Sequence, residues 1–543
     1  MTFRSRVWFV AVALSFVVLI EVGFVRLAVP QSPVQPRPPA PPRVYLDTAY
    51  TPPTGRTIAV KAGGDLQAAL NSAQPGDVLT LAPGATFQGT FTLPRKSGTG
   101  WIVVRSAAPD DKLPSPGTRI TPAFADMMPK IVTLDQNSAV QTAPGASHYR
   151  FIGVEFTAAS SVKMLYQLVA FGGQQATEAE TPHDLILDRC YVHGRSDLMS
   201  RRGVLLNSAA SAVIDSHVSE IHASGYDSQA ILGYNGPGPF KISNNFLEGA
   251  TENIMFGGAD PSIRGLVPSD IEISRNHVFK PPSWLPGNPA FAGINWALKN
   301  LIELKNAQRV LIDANLLENS SATALVLTPR NQNGSAPWSV VQDVTFQNNV
   351  IRNSVSGFVA LSTDNEHPSQ PTRRIAIVNN LWLGISRTFF GMSAGPGGFE
   401  DIVVDHNTAM PDGHSTYYVE AGGPPAVARF RFTNNLVGFG AYGVTFPTAD
   451  PNLAKMMPDA IILRNALVSL GDIADGQGAT RNRPPGINQT MYMSYPSAGA
   501  AGLQEDGTLT TKSPNRGAGL DKKDIGVDFN ELQRAGGGRF SRR

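Results

Sequence analysis

Cysteine is almost missing. Cys190 is the only one among 543 residues, so no intramolecular disulfide holds the chain and its stability must come from burial. Charge is scarce too, at 16% of residues, and nearly balanced at +2. That excludes the strongly basic surface a polyphosphate partner requires, and nucleic acid is not an expected partner. The chain also lacks a phosphate loop, an H-E-x-x-H pair and the repeated calcium nonapeptide. "GMSAG" at 391–395 matches G-x-S-x-G, but without the strand-to-helix context of a nucleophile elbow. Turn formers are plentiful. The 52 Gly and 42 Pro describe short buried strands joined by tight turns, not a helical bundle or a disordered polyampholyte.

The N-terminus carries the one long apolar run. Arg4 and Arg6 precede a stretch from Val7 to Val25 broken only by Glu21. Basic residues before an apolar run predict an exported chain, with residues 1–29 as a signal anchor or a cleaved signal peptide. Without an A-x-A cleavage site between the end of the apolar run and Pro30, the uncleaved anchor is favoured. The protein is then expected at the membrane through this segment only, facing the periplasm or exterior, or secreted if the segment is cut. Residues 30–53 hold nine prolines and read as an extended polyproline linker holding the folded part off a surface. The last residues, 531–543, read as a flexible basic tail.

Between linker and tail, from 54 to 530, a short phrase keeps returning: alternating apolar residues, a polar pair ending in Asn, then another apolar step. "KISNNFL", "VLIDANLL", "VTFQNNVI", "IAIVNNLW" and "FRFTNNLV" are examples. Its marker falls on Val154, Cys190, His217, Asn245, Asn276, Asn315, Asn349, Asn380, Asn407, Asn435 and Asn465. A period near thirty residues, built from short strands, predicts a solenoid of stacked coils. An inward Asn amide can hydrogen-bond the next Asn and the turn backbone, satisfying groups otherwise buried unpaired. Cys190 and His217 are then ladder fillers, not reactive groups. His222 and His277 lack metal-ligand spacing and read as structural.

An amphipathic helix with Leu66, Ala69, Leu70 and Ala73 on one face, then "PGD" and a strand, opens the array. This opening, with the closing phrase "SPNRGAGLDKKDIGVD", resembles the pectate-lyase-like superfamily of right-handed parallel β-helices. The all-β solenoid with an N-terminal capping helix is what that resemblance implies. Phrases such as "GATENIMFGGADPS" and "HVFKPPSWLPGNPAFAGINWALKNLIELKN" are similar to a widespread group of exported bacterial β-helix proteins. The superfamily hosts lyases, hydrolases and adhesins alike, so the fold does not name a reaction.

Residues 222–340 differ from the other coils. The two longest marker intervals touching this stretch are 39 and 34 residues, so extra loop is inserted there, and inserted loops on a rigid scaffold tend to carry function. With Ile302 and Leu304 inward, Glu303 and Lys305 face outward. Aligning neighbouring coils through Ile254 and Phe256, and through Leu325 and Leu327, sets Glu303 between Met255 and Val326, and Lys305 between Gly257 and Thr328. Cleaving an acidic glycan by β-elimination needs a cation on the uronate carboxylate and a base for the C5 proton, and Lys305, Arg330 and Glu303 are the candidates. Glu252 and Asp260, with Glu303, are candidate Ca²⁺ ligands or an acid/base pair for hydrolysis. Trp284, Trp296, Trp338, Asn331, Asn333 and Lys299 could line the substrate. This set is similar to that of the alginate- and dermatan-cleaving β-helix lyases, although only one Glu precedes Lys305. The expected function is action on a polysaccharide, as a lyase of uronate-containing glycan. The alternatives are a glycoside hydrolase and a non-catalytic carbohydrate-binding or adhesion solenoid.

Overall fold

The computed structural model describes residues 33–411, 415–421, 425–439, 443–445, 453–469 and 492–537. The N-terminal apolar run lies outside them.

Each coil begins with a strand whose alternate residues are buried, and these strands pair in one parallel sheet of fourteen, the first face. A sharp corner then carries the chain to a second parallel ladder, for example His217–Ile221 on Phe246–Gly249 on His277–Phe279. A third ladder follows, from Arg202–Leu206 through Gln229–Gly233 and Glu252–Phe256 to Ile302–Leu304. In later coils the second and third faces merge into long strands such as Leu316–Leu327 and Val350–Leu361, with a register shift where they bend. The inward side chains form one core running from Val60 to Tyr492. The chain is thus the expected right-handed parallel β-helix. Leu66–Ser72 is the expected capping helix, with Asp65 accepting the Ala68 N–H at 2.9 Å and Leu66, Ala69 and Leu70 buried.

The corner between the first two faces is where the Asn repeat acts. Asn380 Oδ1 accepts from Asn349 N at 2.9 Å and Asn349 Nδ2 at 3.0 Å. Its own Nδ2 donates to the Phe346 carbonyl and to Asn407 Oδ1, each at 3.0 Å. The same pattern links Asn245, Asn276, Asn315, Asn349, Asn380, Asn407, Asn435 and Asn465. Cys190 occupies the ladder as expected, buried, its thiol pushed up to about 12 by burial. The slot assigned to His217 belongs to Ser216, whose N–H donates to Asn245 Oδ1 and whose Oγ accepts from Cys190 N. His217 is one residue further on and stacks on Phe246 at 4.5 Å.

Two stretches depart from expectation. The proline-rich segment is not a free spacer in its described part: Val34 to Tyr50 lie along the first face. The Arg37, Ala40 and Arg43 N–H groups donate to Asp401, Asp343 and Asp270 at 2.9 to 3.0 Å. Three residues of polyproline helix rise about 9.3 Å, and two coils at about 4.8 Å rise nearly the same. Each free N–H therefore meets the aspartate of every second coil, while the intervening coil supplies Arg309, Arg374 or Arg429 to that aspartate. The tail also packs. Phe529–Ala535 is a helix whose Leu532 joins Val350, Leu381 and Val527 in a small buried cluster.

Asn380→Ala leaves two buried donors of Asn349 without acceptors, at about 1–3 kcal/mol each. Its thermal midpoint should fall well below that of the exposed-loop control Asn333→Ala, and equal midpoints would contradict a stabilising ladder. Deleting residues 1–53 should lower the midpoint relative to deleting 1–32, because only the longer deletion strips the segment from its aspartates.

Candidate functional site

The outer surface of the third face carries the site. Its register is the one read from the sequence: Glu303 pairs with Met255 on one side and Val326 on the other. A β-carbon on Gly257, at φ +95°, would stand 2.8 Å from that of Lys305, so glycine is what lets the Lys305 backbone approach its neighbour this closely. Leu205, Leu232, Tyr234 and Met255 form an apolar floor in the coils before it.

On this floor Lys305 Nζ stands 3.6 Å from Glu303 Oε1, and both side chains are largely covered. Glu303 also accepts from Asn300 Nδ2 at 3.0 Å and Thr328 Oγ1 at 3.1 Å. Its carboxylate is therefore fixed by neutral donors and one ammonium. Beneath lies Glu252, fully buried, with Oε2 accepting from Gln229 Nε2 at 2.7 Å and Oε1 without a partner. Burial, then the neighbouring charge of Glu303, pushes the Glu252 carboxyl up to about 7. Lys280 is also fully buried, capping the Gly249 and Ala250 carbonyls at 2.6 and 2.8 Å, and burial lowers it to about 7.

Other predicted residues are not drawn into this cluster. The Arg330 N–H donates to the Lys305 carbonyl at 2.8 Å, but its guanidinium turns to the next coil, held by Asp364 at 2.9 Å and by Asn365. Asp260 ties down an inserted loop, accepting from the backbone of Asn333 and Ser335 at 3.0 Å. Asn331 is buried inside that loop, bonded to Pro368 and Ala336. Trp284 is buried against His222, and Trp296 stacks on the same ring at 3.8 Å. Trp338 donates to the Leu266 carbonyl, and Lys299 pairs with Asp227 at 2.9 Å.

Calcium does not fit the proposed ligands. Among the described residues, Glu252 and Asp260 belong to no group of three His, Cys, Asp or Glu with converging donor atoms. The Glu303 oxygens are already taken up by Asn300, Thr328 and Lys305. Six to eight oxygens are not on offer here.

The sequence reading missed the stronger feature of this face. Arg201 and Arg202 stand side by side, each with a buried Nε lacking a hydrogen-bond partner. Arg201 lies over the rings of Tyr166 and Tyr226, at 5.9 and 5.4 Å, and those tyrosines are among the most exposed large side chains. Burial and then the charge of Arg201 lower Arg202 below the usual arginine range. Arg202 opens onto a cleft of about 750 Å³ lined by Gln141, Gln167, Gln174, Gln175 and Tyr234. A half-buried guanidinium pair with no carboxylate partner among the described residues is suited to anions. The doublet "RR" was the only signal available in the sequence.

The fold is a right-handed parallel β-helix. In solved structures, the chain is similar to a mannuronic acid specific polysaccharide family 6 lyase from human gut microbiota, with 13% identity and a TM-score of 0.55 over 82% of this chain and 92% of that one. A pectate lyase aligns at 14% identity and a TM-score of 0.33, over 87% and 96%. The polygalacturonase of Erwinia carotovora ssp. carotovora aligns at 11% and 0.37, over 77% and 96%. At such identities the likeness is one of fold. No family model and no curated protein matches the chain.

Glu252 gives a pH test. A carboxyl whose folded pKa lies above its unfolded one contributes stability that is present below the unfolded value and lost as pH rises through the folded one. The wild type should therefore lose stability relative to Glu252→Gln as pH climbs from the ordinary glutamate range to about 7. Thermal midpoints that stay parallel over that window would contradict the buried, raised carboxyl.

Proposed function

We propose that the protein is exported and acts on an acidic polysaccharide lying along its third face, cleaving it by β-elimination at Lys305. The observation that carries this reading is the Arg201–Arg202 pair, which has no acid partner among the described residues, with Arg202 opening onto an amide-lined cleft and Arg201 lying over two tyrosines, on the face that also carries Lys305. Arg202 pairs with Gln229, and Gln229 with Glu252, whose strand abuts that of Glu303. Three coils at about 4.8 Å separate the arginines from Lys305 by roughly 14 Å along the stack. The arginines and the tyrosines beside them hold uronate carboxylates and sugar faces at a distance from the reacting bond. At Lys305 the ε-amine takes the C5 proton, a C4–C5 double bond forms, and the C4–O bond breaks with its electron pair on the departing oxygen, which takes a proton from water and leaves as the hydroxyl of the released sugar. Arg330, one coil on, is the cation available to that sugar's carboxylate, which would draw its guanidinium from Asp364.

A second reading, glycan binding without cleavage, is favoured by Glu303. A carboxylate 3.6 Å from Lys305 Nζ suits a lysine that holds charge as well as one that moves a proton.

The full chain would be incubated with a panel of acidic polysaccharides, following ultraviolet absorbance of unsaturated uronate products and, separately, co-sedimentation with each polymer. Turnover that vanishes in Lys305→Ala, with binding weakened by about tenfold in Arg202→Ala, is the expected result. Binding without unsaturated product would replace the lyase by the binding solenoid. Absence of binding to every polymer would overturn both.

A further inference from the structure

On the first face, one column of residues has left-handed backbone in every coil but a few: His148, Asp184, Ala210, Asp270, Arg309, Asp343, Arg374, Asp401 and Arg429, with φ between +45° and +62°. Asp270, Asp343 and Asp401 of this column are each neutralised by the arginine one coil further on. Asp184 breaks the pattern. No arginine faces it; its described partners are two imidazoles, His183 Nδ1 at 2.6 Å and His148 Nε2 at 3.8 Å from the same oxygen. The donor atoms of the three lie within 4.8 Å of one another.

We propose that His148, His183 and Asp184 form a binding site for a divalent first-row transition metal of the zinc type. Two nitrogens and one carboxylate are a donor set that suits Zn²⁺ and its neighbours and does not suit Ca²⁺. Tetrahedral ligands at about 2.0–2.1 Å from a metal stand roughly 3.3 Å from each other, and the observed 2.6 and 3.8 Å bracket that separation. The metal replaces the proton shared by His183 and Asp184.

The surroundings fit this role. His148 Nδ1 lies 3.0 Å from Ser147 Oγ. With Nδ1–H donating to that hydroxyl, Nε2 carries the lone pair and faces Asp184, the outer hydrogen bond that metal-binding histidines commonly make. Trp101 packs edge-on against His148 at 5.6 Å and fixes the ring. Asp184 and His183 are partly exposed, at 35% and 43% of their side chains, which leaves coordination positions for water or an outside ligand.

The test uses full chain without a histidine tag, freed of metal by chelator and titrated with Zn²⁺ by calorimetry, with Co²⁺ as a spectroscopic reporter. Binding of one equivalent, with visible Co²⁺ bands of a nitrogen- and oxygen-ligated site, is expected. Affinity should fall by at least about tenfold in His148→Ala and Asp184→Asn, and less in Ser147→Ala. Should His148→Ala fail to fold by circular dichroism, the exposed His183→Ala replaces it. Absence of a stoichiometric Zn²⁺ isotherm, or one unchanged in Asp184→Asn and His183→Ala, would overturn the proposal. Neither result depends on any glycan activity.

Discussion

A stacked corner governs this molecule. At each turn from the first face to the second, one residue takes left-handed backbone, among them Asp215, Asn244, Arg275, Ala314, Asn348 and Asn379. For a residue with a side chain that conformation costs about 1–2 kcal/mol. The asparagine that follows offsets it, because its amide accepts the preceding corner's N–H, donates to a strand carbonyl of an earlier coil, and bonds the next amide. No corner can be satisfied alone. The ladder therefore couples every coil to its neighbours and holds them in register from Cys190 to Asn465.

Once the coils are in register, the exterior becomes a set of columns with a fixed step. Like charges repeated at about 4.8 Å repel strongly wherever water is displaced. The first face avoids this by alternating aspartate and arginine, and it gains an outer layer because a polyproline helix happens to advance two coils in three residues. The third face does not alternate. It stacks Arg202 on Gln229 on Glu252 and leaves the Arg201–Arg202 pair without an acid. On a scaffold that elsewhere pairs its columns, this imbalance is what supports the proposal of a charged ligand on the third face.

What the sequence disclosed follows the same division. The Asn spacing and the outward register of Glu303 and Lys305 were legible, because both depend only on strand alternation and coil length. His217 was misplaced by one residue because Ser216 makes the same hydrogen bonds with a shorter side chain. The polyproline segment reads "VQPRPPAPPR", with an N–H at Val34, Arg37, Ala40 and Arg43, a period of three that announces a partner with a matching step; composition alone hid it. The Arg330 ion pair and the role of Asp260 in tying down a loop were not legible, because their partners lie in loops, at Asp364 and at Ser335, where no repeat fixes the register. Arg201 and Arg202 escaped notice since they sit in coils without insertions.

The layer beneath the third face explains why Glu303 can be held so rigidly. Burying Glu252 and Lys280 is costly, and an apolar pair of similar size would often be as stable. Lys280 instead donates to two carbonyls and to Asn253 Oδ1 at the turn before Glu252, fixing the backbone from which the strand below Glu303 departs. Gln229 then orients Glu252, leaving one carboxylate oxygen unpartnered. Both buried groups titrate near neutrality, at about 7, so a single proton decides whether the floor below Glu303 carries a charge. For the anionic polymer proposed at Lys305 a neutral floor is favourable, and burial, which disfavours charge on either group, supplies it.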